Sequence, residues 1–305
     1  MTATETAHRP SLARRLLHAM DLISILPCRI LLETPGVAAT VPMLRGVWGA
    51  ALRELDRTAY DRIFEGDGGR SPSGNTSAPH EKTPLYVLRP APPDPAFAPA
   101  VEWILIADAV ADAQRLARAW QLAARSGLGP DRRPFSLRRW LCLEPAGQPA
   151  EKGRPWRLGQ CTWPCSHAET TPCQLRFDAP LRLRRHGKLI EQPSLTDLVV
   201  AAGRRVGSFL SATDLPAWKS LEGELIDLAR HTPAEPWQGD RLDLTRYSGR
   251  QRRELDMHGV CGSLVLPDGP GSLWPLLAAA CWLHIGKGTV MGLGQLHIVP
   301  VSETR

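Results

Sequence analysis

The sequence predicts an α+β fold with two tandem domains built on one plan. Two stretches, PCRILLETP at 27–35 and PCQLRFDAP at 172–180, share a Pro-Cys start, a matching apolar position, an acidic residue and a closing proline. A Gly-Leu-Gly element stands between a helix pattern and a strand pattern in each half, at 127–129 and 292–294. With 305 residues and 43% hydrophobic content, the chain can form two domains of ordinary size. Each half is therefore expected to follow the order β-α-β-β-α-β, the ferredoxin-like or RRM-like plan, whose open sheet face commonly binds RNA.

The elements of the first half follow from hydrophobic periodicity and from proline and glycine. Alternating apolar residues closed by proline indicate strands, and apolar spacings of three and four residues indicate helices. These patterns predict strands at 28–33, 85–89, 101–107 and 135–143, helices at 43–56 and 109–125, and a Gly/Ser/Pro-rich loop at 66–84.

The second half repeats the pattern. It predicts strands at 173–184, 241–246, 260–266 and 292–299, and helices at 195–212 and 272–284, with irregular structure between 212 and 241. We expect an N-terminal ferredoxin-like domain at 1–147, a linker at 148–170 and a C-terminal ferredoxin-like domain at 171–305.

Composition argues against a secreted or membrane-spanning protein. The seven cysteines are an odd number spread along the chain, which does not indicate a disulfide framework. No run of about 18 apolar residues is present, and the Arg-rich start is not followed by a small-residue cleavage site. We therefore expect a cytoplasmic protein. The segment CTWPCSHAETTPC at 161–173 leaves a metal site open, but its spacing favours structural cysteines.

Arginine dominates the charge of the chain. The net charge is +6, and only five of the 37 basic residues are lysine. Arginine suits bidentate contacts with phosphate, although GC-rich coding also raises arginine content. The basic residues are clustered, which favours a polyanionic partner. The clusters are Arg132, Arg133, Arg138 and Arg139; Arg182, Arg184, Arg185, His186 and Lys188; Arg204 and Arg205; and Arg241, Arg246, Arg250, Arg252 and Arg253.

The stretch GKGTVMGLG at 286–294, which we call the glycine loop, contains four glycines and Lys287. A phosphate-binding loop of a nucleotide site runs from strand to helix, so that the helix N-terminus points at the phosphates. Here the order is helix to strand, and the spacing G-x-G-x-x-G is absent. Two interpretations remain: a backbone that a bulky ligand approaches closely, or a tight connection from helix to strand.

Five segments resemble one known family in order along the chain. They are VPMLRGVWGAALRELD, GLGPDRRPFSLRRWLCL, LRFDAPLRLRRHGK, RYSGRQRRELDMHGVCGSLVL and LLAAACWLHIGKGTVMGLGQLHIV. The chain is thereby similar to the CRISPR-associated repeat-processing endoribonucleases of the RAMP superfamily. The resemblance implies two ferredoxin-like domains that bind the repeat stem-loop of CRISPR precursor RNA and cut it to mature crRNA. It implies no metal ion and no cofactor, and a glycine loop at the domain interface that contacts RNA through its backbone.

The chemistry that this family implies is attack by a 2′-hydroxyl on the adjacent phosphate, which leaves a 2′,3′-cyclic phosphate and a 5′-hydroxyl. Many relatives carry a histidine on or near the first helix of the N-terminal domain, whereas 43–56 contains none. Arginine is a poor base because its pKa exceeds about 12, but it can orient the hydroxyl and stabilise charge. We expect Arg29, Arg45 and Arg241 to face the scissile phosphate. The arginine-rich site would suit the type IV branch.

The remaining basic residues are expected to hold RNA. This group comprises Arg182, Arg184, Arg185, Lys188, Arg204, Arg205, Arg246, Arg250, Arg252 and Arg253, with Gly286, Lys287 and Gly288 of the glycine loop. We interpret His258 as a candidate acid and His284 as a core residue. The expected partners are precursor RNA, the mature product, which we expect to stay bound through its 3′ hairpin, and other subunits of a CRISPR effector complex. A non-catalytic RAMP subunit that holds guide RNA is the alternative, and a fold relative that binds another RNA is a third.

Overall fold

A computed structural model describes residues 10–34, 36–66, 83–92, 100–164, 167–248 and 253–301, with the backbone alone for 245–248 and 253–256. The helices are α1 (Leu12–Met20), α2 (Val41–Leu55), α3 (Arg57–Ala59), α4 (Ala113–Ser126), α5 (Leu195–Gly207), α6 (Leu215–His231) and α7 (Trp274–Leu283). The strands of the first half are β1 (Ser24–Glu33), β2 (Tyr86–Pro90), β3 (Ala100–Ile106), β4 (Ser136–Leu143), β5 (Pro149–Ala150) and β6 (Trp156–Arg157). Those of the second half are β7 (Cys173–Leu181), β8 (Arg184–Arg185), β9 (Lys188–Leu189), β10 (Gln238–Leu242), β11 (Thr245–Ser248), β12 (Arg253–Asp256), β13 (Gly259–Leu266) and β14 (His297–Pro300).

Both halves have the strand order of a ferredoxin-like sheet. The first sheet runs β2-β3-β1-β4-β5, with β6 also paired to β1, and the second sheet runs β10-β13-β7-β14. In each half the second main strand lies at the edge, followed by the third, the first and the fourth, and every pairing is antiparallel. The predicted α+β fold with two ferredoxin-like repeats is confirmed. The boundaries at 147 and 170 stay a prediction.

Aromatic side chains fill the first core, which lies between the first sheet and helices α2 and α4. Trp48 of α2 stacks on Trp120 of α4 with ring centroids 5.7 Å apart, and it meets Trp103 of β3 edge-on at 5.6 Å. The indole nitrogen of Trp48 donates a hydrogen bond of 3.2 Å to the carbonyl of Leu116. Stacked and edge-to-face ring pairs stabilise such a core beyond their buried area. Helix α2 is therefore held firmly against the sheet.

The opposite face of the first sheet is buried against the second half. Val87 of β2 and Ile104 of β3 belong to one continuous core that also contains Leu283 of α7 and Leu296, and we call it the shared core. The alternate residues of β3, among them Trp103, face the first core. The expectation of an open face is therefore wrong for the first sheet, because the second half covers it.

Two helices depart from the sequence expectations. Helix α1 precedes the first strand and contacts α6 and α7, and Arg15 donates hydrogen bonds of 2.9 and 2.5 Å to Glu224 of α6. Helix α6 occupies a segment that we expected to be irregular. Its buried residues Trp218, Leu221 and Leu225 recur at spacings of three and four, which place them on one helical face.

Strand ends also differ from the expectations. The strand expected at 173–184 ends at Leu181 and is followed by the β8–β9 hairpin, and the strand expected at 292–299 begins only at His297. The glycines before His297 form turns in place of a strand. Within the described part of the chain, we find no helix that is both long and apolar enough to span a bilayer.

Candidate nucleic-acid interface

The glycine loop takes its shape from the protein's own backbone. Gly286, Gly288, Gly292 and Gly294 have φ angles of 82°, 85°, 83° and 65°, a region that side chains with a Cβ disfavour. A Cβ at Gly294 would lie 1.9 Å from the carbonyl oxygen of Ile285, and one at Gly286 would lie 2.7 Å from that of Arg182. Internal packing alone therefore requires glycine at these two positions.

The loop lies between the two halves of the molecule. The turn Thr289–Met291 contacts α2 and β2, and Val290 is buried in the first core. On the other side, the backbone nitrogen of Lys287 donates a 3.1 Å hydrogen bond to the carbonyl of Arg182, and that of Gly294 donates one of 3.0 Å to the carbonyl of Pro180. The glycine loop thus ties the end of β7 to the first half, and Lys287 is exposed on it.

Arg45 lies on α2, the helix that contacts this loop. Its Nε donates a 2.8 Å hydrogen bond to the hydroxyl of Tyr86, and its guanidinium carbon lies 4.2 Å from the centre of the Phe64 ring. Burial raises the pKa of Tyr86, and the neighbouring Arg45 opposes that rise. The Tyr86 hydroxyl therefore remains protonated, and Arg45 is a half-exposed cation fixed by aromatic neighbours.

Arg29 lies at the interface between the halves, where it is already paired. Its Nε and Nη2 donate hydrogen bonds of 3.1 and 2.7 Å to Glu102, and its side chain is only 15% exposed. Arg89 binds the other oxygen of the same carboxylate at 2.6 Å and reaches across to the carbonyl of Cys281 on α7, also at 2.6 Å. We call Arg29, Glu102 and Arg89 the interface triad. Arg29 is therefore a largely buried cation whose charge already has a carboxylate partner.

Arg241 lies on the edge strand β10 of the second sheet and is exposed. Its Nε donates to Asp243 at 2.8 Å and its Nη1 to Glu191 at 3.1 Å, and these two hydrogen bonds raise its pKa. No hydrogen bond or ion pair between described residues joins Arg29, Arg45 and Arg241. Whether one phosphate brings them together stays a prediction.

His258 and Asp243 form a pair close to Arg241. The Nδ1 of His258 lies 3.1 Å from Oδ1 of Asp243, the oxygen that also binds Arg241. The carbonyl of His258 accepts a 2.7 Å hydrogen bond from Nε of Arg182. The carbonyl of Arg182 in turn accepts a hydrogen bond from the backbone nitrogen of Lys287, so Arg182 connects His258 to the glycine loop.

The basic residues expected to hold RNA have different surroundings. Arg184, Arg185 and Lys188 are exposed on the β8–β9 hairpin, whose turn residues His186 and Gly187 both have positive φ angles. Arg185 also pairs with Asp197, and Arg204 is exposed on α5. Arg246 and Arg253 are placed only as backbone on β11 and β12, and Arg250 and Arg252 lie outside the described residues. The exposed members form a basic surface on the second half.

Arg205 departs from the expectation of an RNA contact because its guanidinium is buried. Its Nε donates to the carbonyl of Leu283 at 3.2 Å, it lies over the ring of Phe209, and burial lowers its pKa to about 10. His284 is a core residue, as expected. Its Nδ1 lies 3.0 Å from the carbonyl of Leu293, and burial, followed by the charge of Arg89, lowers its pKa well below the usual value.

Of these residues, Arg89, Glu102 and Asp243 were not identified from the sequence. Glu102 and Arg89 interrupt strands that are otherwise apolar, which is a usable sign of a buried ion pair. Of the segment considered for metal, Cys161 and Cys173 are buried and Cys165 lies outside the described residues. Among the residues that the structure places, no three His, Cys, Asp or Glu side chains are grouped as ligands for a metal ion.

The model of one protein family, described as CRISPR-associated endoribonuclease Cas6, matches residues 175–296. The structural alignment with a Cas6 product complex spans 92% of this chain and 100% of the Cas6 chain, at 19% identity and a TM-score of 0.53. The alignment with a Cas6 substrate mimic complex spans 90% of this chain and 99% of the Cas6 chain, at 19% identity and a TM-score of 0.52. Cas6 of Thermus thermophilus is matched over 92% and 99%, at 14% identity and a TM-score of 0.50.

No curated protein matches the chain in sequence. At these identities, the solved structures establish the fold, and the family model adds the sequence pattern of the second half, including the glycine loop. Together they confirm the prediction that this chain is similar to the CRISPR-associated repeat-processing endoribonucleases, the Cas6 family.

Proposed function

We propose that the chain binds the repeat stem-loop of CRISPR precursor RNA and cuts it to mature crRNA without a metal ion. The observation that carries this proposal is the position of the glycine loop. It lies between α2, which carries Arg45, and Arg182, within the segment that the Cas6 model matches. Relatives of the same fold are described as product and substrate mimic complexes, which supports an RNA-processing role.

The proposed reaction forms a bond between the 2′-oxygen and the phosphorus and breaks the bond to the 5′-oxygen. The transition state carries additional negative charge, which nearby cations stabilise. Of the three arginines, Arg45 is the best suited, because it is half-exposed and binds no carboxylate through a described hydrogen bond. We assign it to orienting the hydroxyl and neutralising charge, because arginine does not accept protons near neutral pH. Arg29 and Arg241 already bind carboxylates, which offset the charge that they could offer to the phosphate.

The exposed basic surface of the second half is proposed to hold the RNA stem. Arg184, Arg185 and Lys188 project on a short hairpin, and Arg204 and Lys287 add two further exposed cations. Phosphate contacts of this kind supply affinity without reading sequence. We expect the product to stay bound through its 3′ hairpin and to recruit other effector subunits. The type IV branch and a cytoplasmic location stay predictions of the sequence.

The test uses RNA that copurifies with the protein, which is sequenced to identify the repeat. Purified protein is then incubated with the end-labelled repeat in EDTA. A single cut at the 3′ base of the stem, with a 2′,3′-cyclic phosphate on one product and a 5′-hydroxyl on the other, supports the proposal. Arg29→Ala, Arg45→Ala and Arg241→Ala variants are assayed under single-turnover conditions. Unchanged cutting in all three variants would remove the assignment of the arginines.

A non-catalytic subunit that holds guide RNA is the second candidate. It is favoured by the acidic partners of Arg29 and Arg241, which leave fewer cations for a phosphorane, and by the absence of histidine from α2. Tight binding of the repeat without any cut, in EDTA or in Mg²⁺, would support this candidate over the nuclease.

A further inference from the structure

We propose that His258, oriented by Asp243, donates the proton to the leaving 5′-oxygen in the cleavage reaction. This inference rests on the proposed function, since it assigns a group to a reaction that the chain is proposed to catalyse. It starts from the pair itself: Nδ1 of His258 lies 3.1 Å from Oδ1 of Asp243, and the histidine side chain is 30% exposed. Because the carboxylate lies on the Nδ1 side of the ring, the other ring nitrogen, Nε2, lies on the side away from it.

The backbone on both sides fixes the position of His258. The nitrogen of Met257 donates a 2.8 Å hydrogen bond to the carbonyl of Leu244, which places His258 beside Asp243. Met257 is buried, and the carbonyl of His258 accepts a 2.7 Å hydrogen bond from Nε of Arg182. A catalytic proton donor requires such fixed geometry, because a misplaced group loses most of its effect.

The surroundings of His258 suit a phosphate. Arg182 and Arg241 each contact the pair, at the carbonyl of His258 and at the carboxylate of Asp243. Lys287 of the glycine loop is exposed, and its backbone nitrogen donates a hydrogen bond to the carbonyl of Arg182. Three cations therefore accompany two carboxylates, those of Asp243 and of Glu191, which both bind Arg241. A negatively charged phosphate beside His258 would be stabilised by this group of charges.

The step balances with solvent water as the only other participant. The 2′-oxygen forms a bond to phosphorus and releases its proton to water, while the bond from phosphorus to the 5′-oxygen breaks. Nε2 of the protonated His258 gives its proton to that oxygen, and the ring then regains a proton from solvent. No oxidant, reductant or metal ion enters this sequence.

The alternative is a structural role in which the pair only joins β10 to the turn before β13. The two roles separate with a substrate whose 5′-bridging oxygen is replaced by sulfur, because a thiolate leaves without needing a proton. The test uses His258→Ala, and His231→Ala as the control, since His231 is an exposed histidine on α6 that contacts the carbonyl of Asp227. Both are compared with the unchanged protein on the oxygen and the sulfur form of the repeat RNA.

We expect His258→Ala to slow single-turnover cutting of the oxygen substrate by about 100-fold or more, a usual contribution of a general acid. The sulfur substrate should be cut by this variant within about threefold of the unchanged protein, and RNA affinity should change by less than about threefold. Equal slowing on both substrates, or no slowing on either, would overturn the inference. If the unchanged protein cuts neither form, the proposed function fails first and this inference fails with it. Asp243→Asn is expected to show a smaller deficit that is likewise confined to the oxygen substrate.

Discussion

Glu102 is expected to be a strong single determinant of stability, because one buried carboxylate serves two arginines. Its side chain is 3% exposed and binds Arg29 at 2.7 Å and Arg89 at 2.6 Å. A Glu102→Gln change keeps the shape and removes the charge, so that both guanidinium groups lose their counter-ion in the interface. Breaking a buried ion pair from one side costs about 3–5 kcal/mol, and we expect a loss in the free energy of unfolding within that range.

The assay is urea unfolding followed by tryptophan fluorescence, with Glu151→Gln as the matched control. Glu151 pairs with Arg139 at the surface, where both side chains are largely exposed, and such pairs contribute about 0–1 kcal/mol. The midpoint should fall sharply for Glu102→Gln at an unchanged slope, and hardly at all for Glu151→Gln. Similar midpoints for the two variants would refute the reasoning. Arg29→Ala should also lower the midpoint, whereas a purely catalytic Arg29 would leave it unchanged.

Three further predictions follow from the loop, the basic hairpin and the buried histidine. Gly294→Ala should destabilise the protein by at least about 2 kcal/mol more than Gly147→Ala. Both positions have a positive φ, but of the two only Gly294 lacks room for a Cβ. Equal losses of stability in urea unfolding would contradict this prediction. Lys188→Ala should lower the slope of log affinity against log salt by about one unit, whereas Lys152→Ala should leave the slope unchanged. Filter binding at several salt concentrations measures the slope. An unchanged slope for Lys188→Ala would remove Lys188 from the RNA surface. The folded-state pKa of His284 lies below its unfolded value, so the unfolded chain binds the extra proton, and stability should fall as the pH drops below about 6.5. His284→Asn should flatten this pH dependence of stability in urea unfolding at about pH 5–7. An equal pH dependence in the variant and the unchanged protein would assign the effect to other groups.

Local pattern was sufficient for much of the fold because strands and helices carry their own periodicity. The repeated Pro-Cys stretches predicted the first strand of each half, and β1 and β7 occupy equivalent places in their sheets. Helix α6 was missed because charged residues and glycine, among them Lys219, Glu222 and Gly223, stand between its buried residues in the sequence, although the buried residues lie on one side of the helix.

The candidate site was harder to predict, since its contacts join residues far apart in sequence. Arg29 and Glu102 are 73 residues apart, and only the register of β1 against β3 brings them together. The sequence alone does not distinguish an arginine that binds a carboxylate from one that is accessible to RNA. Arg205 shows the same limit, because its burial depends on the end of α7, where it binds the carbonyl of Leu283.

The shared core also constrains how the two repeats could have diverged. In a solitary ferredoxin-like domain, one face of the sheet is free to exchange apolar for polar residues, and selection acts on it through ligand binding alone. Here Val87 and Ile104 of the first copy lie in one packed interior with Leu283 and Leu296 of the second. A substitution at any of them changes the packing of both halves at once. We therefore expect sequence variation to concentrate on outward elements such as the β8–β9 hairpin.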